Sequence, residues 1–225
     1  MSRHPLIKQR DYLTTASVFH WATKEHYTAW FTGSFERHKR TEVVLPRLVK
    51  RGKLKSVTIG NRILYCIPRK CKGRTLYIEH GLGCTEGLVR IWRSDMNSMI
   101  IPERFFQGFG NVPEWGIKYQ NGKLLLYEFC TKGNFEKPGL VKGKINRYRD
   151  SLLAIGGKFE GEGIVLLVAD VPRQAVKNYV EKSIPEGPFL FTDYQTFKSI
   201  PIGENLKAPI YIWGENGQEY PLRND

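Results

Sequence analysis

Glu114 and Glu128 bracket the stretch of this chain best suited to chemistry, Pro113 to Lys132. Trp115 to Tyr119 alternates large apolar with small or polar residues. Asn121-Gly122 offers a tight turn. Leu124, Leu125, Leu126, Tyr127 and Phe129 then make a strand that is apolar on both faces, as in the middle of a covered sheet. A hairpin folded at Asn121-Gly122 brings the two carboxylates together. Two close carboxylates form a hard-oxygen site suited to Mg²⁺ or Mn²⁺. A cation for such a site has three sources. Lys132 would share a strand face with Glu128 if the strand ran on to it. Lys142 and Lys144, on the helix expected next, are placed to reach back.

The elements that position these groups are bounded by composition. The chain has 225 residues, 41% of them hydrophobic and 12% aromatic, enough for one large or two small packed cores. No apolar run approaches the roughly 20 residues of a membrane span, and Met1-Ser-Arg-His-Pro5 contains no apolar signal core. Cys66, Cys71, Cys84 and Cys130 include no CxxC pair. They are expected to be reduced thiols, which places the protein in the cytoplasm. Charge divides the chain: residues 1–74 hold 17 Lys and Arg against 4 Asp and Glu, a net of +13, which is the net charge of the whole sequence. Residues 75–225 are neutral, with 18 of each sign. A basic module joined to a neutral one points to a polyanion-binding head, with nucleic acid as the first candidate partner.

Within the basic third, apolar periodicity predicts helices over 11–21 and 24–31, the second capped by Thr23. A third over 41–51 turns Val44, Leu45, Leu48 and Val49 inward and stops at Gly52, with Pro46 kinking it or moving its start. Strands over 54–59 and 62–67 join through Gly60-Asn61. Three helices and a basic hairpin make a winged helix-turn-helix, whose third helix would enter the major groove while the hairpin touches the DNA backbone. Arg37, His38, Lys39, Arg40 and Arg47 fall near the groove, and Lys53, Lys55 and Arg62 on the wing.

The domain boundary is expected near Arg74, giving domains 1–74 and 75–225. Beyond it, 75–79 reads as an extended lead-in, with His80 just before a helix over 86–99 that Thr85 caps. Glu86 in that helix is a third acid within possible reach of the hairpin. Residues 95–111 read as irregular. A helix over 138–155 ends at Gly156-Gly157 and carries Lys144 and Tyr148 on one face. A buried strand over 163–170, a helix over 172–182 and a strand from Phe189 complete an α/β layout whose last two strands are parallel. The tail, 198–225, contains a possible edge strand over 210–213.

A Pro-acid pair, a hairpin, apolar residues and a second acid resemble the PD-(D/E)XK nuclease core, with Glu114 and Glu128 as its acids. The lysine position of that pattern, two residues after the second acid, holds Cys130 here, which leaves Lys132 to stand in. Some nucleases of this class carry Gln and Tyr where this chain has Lys144 and Tyr148, and many place an extra acid where it has Glu86. The combined order over about residues 10–170 resembles the replication-relaxation family of plasmids, phages and integrative elements. That resemblance implies a restriction-endonuclease-like domain with a mixed sheet behind a winged helix. It further implies a role in replication or transcription control on double-stranded DNA. Three readings stay open: a DNA-binding regulator, expected to be a homodimer by analogy with two-fold operators; a metal-dependent endonuclease; and a scaffold whose basic head grips RNA, which lacks the aromatic platforms of single-strand binders.

Overall fold

The computed structural model describes residues 7–34, 38–70, 75–137, 139–183 and 187–199, with the strands Ile210–Trp213 and Glu219–Leu222. The chain is α/β and divides into two compact units, Met1–Val89 and Arg90–Asp225. The expected boundary near Arg74 lies outside the described residues.

In the first unit, α1 (Gln9–Val18), α2 (Lys24–Thr32) and α3 (Lys39–Lys50) precede the antiparallel pair β1 (Lys55–Ile59) and β2 (Arg62–Cys66). Thr23 caps α2 by accepting the His26 N–H, and Gly33 closes it in the left-handed conformation at φ 76°. The third helix runs unbroken through Pro46, which is exposed, and starts two residues before the expected Thr41. Its inward face is Thr41, Val44, Leu45 and Leu48. Gly52 at φ 66° donates its N–H to the Val49 carbonyl and stops the helix, as the sequence predicts. Tyr12, Phe19, Tyr27 and Phe31 pack ring to ring between α1 and α2. Cys84 and Cys130 are buried thiols, but Cys66 is disulfide-bonded. The expectation of four reduced cysteines is thereby corrected, and the redox argument for a cytoplasmic setting loses its ground. Among the described residues no helix is long and apolar enough to cross a membrane.

Helix α4 (Thr75–Ser94) corrects the reading of its region, since 75–79 is helical and His80 lies inside the helix. Gly81, Gly83 and Gly87 lower the intrinsic helix propensity, which made the helix look shorter than it is. Packing overrides them: a Cβ on Gly81 would stand 2.8 Å from Trp21 Cδ1. Thr85 does not cap, because its hydroxyl accepts the His20 N–H at 3.3 Å in the interior.

The second unit is organised on one sheet. Residues 95–111, expected to be irregular, contain β3 (Met99–Pro102) and a single 3₁₀ turn, Glu103–Phe106. Next come β4 (Trp115–Lys118), β5 (Lys123–Cys130), α5 (Lys132–Phe135), α6 (Leu140–Phe159), β6 (Glu162–Ala169), α7 (Arg173–Ser183), β7 (Phe189–Asp193) and α8 (Tyr194–Lys198), with β8 (Ile210–Trp213) and β9 (Glu219–Leu222) last. The strands lie in sequence order, β3-β4-β5-β6-β7-β8-β9. The β3-β4-β5 meander is antiparallel, β5, β6 and β7 are parallel, and β8 and β9 return antiparallel, so the sheet is mixed.

The β4–β5 turn is closed by Gly122 N–H to Tyr119 O (3.2 Å), and Lys123 N–H bonds Asn121 Oδ1 (3.1 Å). Of the two turn residues only Gly122, at φ 81°, takes a positive φ. On one face of the sheet Trp115 stacks on its cross-strand partner Tyr127, with centroids 4.2 Å apart. On the other face Leu124, Leu126 and Cys130 join Leu167, Phe191, Ile145, Tyr148 and Val176 in the main core under α6 and α7. Helix α6 passes through Gly156-Gly157, where the sequence reading ended it, and stops at Glu160 (φ 51°). Gly156 serves a close approach instead, since a Cβ there would meet the Gly161 carbonyl at 2.7 Å.

Candidate functional site

Glu128 points from β5 into the core face, where it is 1% exposed. A carboxylate so deeply buried must be paired and hydrogen-bonded, and both of its oxygens are. Tyr148 Oη donates to Oε1 at 2.6 Å, and Asn111 Nδ2 donates to the same oxygen at 3.3 Å. Lys144 Nζ forms an ion pair with Oε2. Helical geometry explains the joint reach, because Lys144 and Tyr148 are one turn apart on the face of α6 that meets the sheet.

Glu114 precedes β4, and its N–H bonds the Tyr127 carbonyl at 3.0 Å, which extends the ladder by one residue beyond Trp115. The hairpin therefore brings Glu114 and Glu128 into one field, as predicted. Burial raises Glu128 above the ordinary carboxylate range; the Lys144 charge opposes this, and Glu114 adds to it. Burial works against the Lys144 ammonium, but the Glu128 charge and hydrogen bond outweigh it and hold its pKa above the ordinary lysine value. Tyr148 is raised by burial first and Glu128 second. Burial pushes the Cys130 thiol up to about 11.

These shifts set a testable pH dependence. Lys144 and Tyr148 hold their protons more tightly folded than unfolded, where they titrate near 10.4 and 10. Stability from them is complete below about pH 10 and is lost as pH rises past it. Thermal melts are expected to begin falling at about pH 8.5, where the buried Cys130 thiol contributes, and to fall further above 10, and the fall above 10 is expected to be shallower in Tyr148→Phe. An equal fall in the variant would mean that Tyr148 does not carry it.

Lys132 does not join the cluster. Thr131 starts α5, so β5 ends before Lys132, whose exposed ammonium pairs with Glu136 at 3.9 Å. The strand-face argument fails because the strand stops at Cys130. The reaching cation is Lys144, one of the helix alternatives. Lys142 is exposed on α6. Glu86 is engaged within the first unit, where its Oε2 lies 2.6 Å from His26 Nε2 and both side chains are buried. Sequence reasoning missed that pair, and it missed Asn111, whose loop position gave no periodic signal.

In the first unit Lys39, Arg47, Lys53, Lys55 and Arg62 are exposed, and none has a carboxylate partner among the described residues. Lys39 and Arg47 lie on α3, Lys55 on β1 and Arg62 on β2. The one acid of α3, Glu42, pairs with Lys24 at 3.6 Å. Arg40 is half-buried and near Tyr12, whose pKa it helps to lower against the dominant rise from burial. Arg37 lies outside the described residues.

Both oxygens of Glu128 are already engaged, Oε1 by Tyr148 and Asn111 and Oε2 by Lys144, and among the described residues Glu128 belongs to no group of three potential metal ligands. The two carboxylates repel each other, and positive charge is what their field favours. No protein-family model matches the chain, and no curated protein matches it.

Proposed function

We propose that the chain is a DNA-binding protein acting in replication or transcription control of a mobile element such as a plasmid, phage or integrative element. In this reading the first unit is a winged helix-turn-helix and the second a PD-(D/E)XK nuclease-like domain. One observation carries it: α3 buries Val44, Leu45 and Leu48 and turns Lys39 and Arg47, without carboxylate partners among the described residues, to solvent, followed by a hairpin bearing exposed Lys55 and Arg62. Helix, three-stranded meander, helix and parallel strand, the order of α4 to β6, supports the nuclease-like assignment. Double-stranded DNA is the partner and a homodimer the binding species, with the mass checked by light scattering with and without DNA. Arg47→Ala is expected to weaken binding of a labelled duplex in a fluorescence-anisotropy titration, and unchanged affinity would remove α3 from the interface.

A second reading, a metal-dependent DNA endonuclease, is favoured by the Lys144 ammonium at Glu128, which supplies the cation that Cys130 cannot. Glu114 and Glu128 would hold Mg²⁺ or Mn²⁺, which when bound polarises a phosphoryl oxygen and lowers the pKa of water. Lys144 favours the charged form of Glu128 against the effect of burial, and Tyr148 fixes the orientation of that carboxyl group. Supercoiled plasmid and short duplexes incubated with Mg²⁺ or Mn²⁺ test this reading. Nicking that vanishes in Glu128→Ala, and in the half-buried control Glu114→Ala, would establish the enzyme. Intact DNA that is still retained in a salt-sensitive gel shift would leave the winged helix as the working part.

A further inference from the structure

Next to the Glu128 cluster on α6 lies a group that neither reading uses. Arg147 lies on α6 between Lys144 and Tyr148 and is exposed. Its Nε donates to Asn111 Oδ1 at 3.5 Å, and Asn111, itself 9% exposed, donates onward to Glu128 Oε1. Its Nη1 lies 3.5 Å from where a Cβ would sit on Gly143, so the guanidinium folds back over the preceding turn of the helix. Among the described residues no carboxylate pairs with it. A planar cation is thus held at one edge by a buried amide that also donates to Glu128, on a side chain that is exposed.

We infer that Arg147, oriented by Asn111, is a phosphate-binding residue for nucleic acid entering the Glu128 site. This rests on the DNA reading above and adds a second contact surface, on the second unit. The guanidinium fork matches two phosphate oxygens, and the anchoring amide lowers the entropy lost on binding. Lys144 is spent on Glu128, whereas Arg147 has no carboxylate partner among the described residues and is exposed. Asn111 acts only by positioning.

The test is anisotropy of the full chain on a fluorescein-labelled 20-base-pair duplex from 50 to 200 mM KCl. Each phosphate contact contributes about 0.9 to the log–log salt slope. Arg147→Gln is expected to lower the slope by about 0.9, so that the rise in Kd over this range shrinks about threefold. Arg147→Lys is expected to restore the slope but not the full affinity. Asn111→Ala is expected to weaken binding with the slope kept. A slope unchanged in Arg147→Gln, while Arg47→Ala still lowers it, overturns this inference and leaves the DNA reading standing. No binding by the wild-type chain overturns both.

Discussion

Lys144→Met is expected to lower the unfolding free energy by about 3–5 kcal/mol, the usual cost of stripping one partner from a buried ion pair. Lys144 retains 22% side-chain exposure against 1% for Glu128, so the damage falls on the acid left behind. Water reaches the amine and not the carboxylate. Adding Glu128→Gln is expected to recover much of the loss, since the amide oxygen still accepts from Tyr148 and Asn111 without a buried charge. Urea denaturation of the two single variants and the double variant gives the coupling directly, and additive losses would show that the pair is not coupled. The pH sign is also fixed. Burial already lifts the folded pKa of Glu128 above its unfolded value, and removing Lys144 takes away the main opposing pull. A raised acid contributes stability below its unfolded pKa and loses it as pH rises through the folded value. The deficit of Lys144→Met is therefore expected to shrink as pH falls from 7 toward 4.

Replacing Lys39, Arg47 and Lys55 together with Gln is expected to cost on the order of a hundredfold in duplex affinity at 50 mM salt. It is also expected to flatten the log–log salt dependence by about 2.7, three contacts at about 0.9 each. All three side chains are exposed, and none has a carboxylate partner among the described residues. Their removal leaves the α3 core of Val44, Leu45 and Leu48 untouched, so circular dichroism and the melting temperature are expected to hold. Parallel titrations on two unrelated duplexes separate backbone contacts, which weaken equally on both, from base reading. Wild-type affinity in the triple variant would place the polyanion site elsewhere.

Much of this arrangement is written locally. Thr23 and Gly33 bound α2, Gly52 stops α3, and Gly122 turns the hairpin that carries the acids, each through a residue type its position requires. Period-two alternation finds β4, and a continuous apolar run finds β5. The misreadings share a cause, since tertiary contact overrode a local signal. Three glycines hid the first half of α4, and Gly156-Gly157 imitated a helix end while serving a close return of the chain. At the site, strand parity gave Lys132 the role that Lys144 fills, because nothing in 128–132 announces that β5 ends at Cys130. Asn111 was invisible for a different reason. It acts across 17 positions from an irregular loop, and only the folded backbone places it beside Glu128.

The position of β5 also fixes an order of events. Its antiparallel neighbour β4 is joined to it by a tight turn at Gly122, a contact that forms on the microsecond scale. Its parallel neighbour β6 comes only after the twenty residues of α6 have crossed over. Pairings between sequence-distant strands form later, because the loop entropy must be met first. The acid-bearing hairpin is thus expected to assemble before its cation arrives. Glu128 is then expected to stay hydrated until α6 docks, so that desolvation of the acid and arrival of Lys144 fall in one step. A chain stalled before that step exposes the apolar flank of β5 with a solvated charge in its middle, which guards against edge-to-edge association.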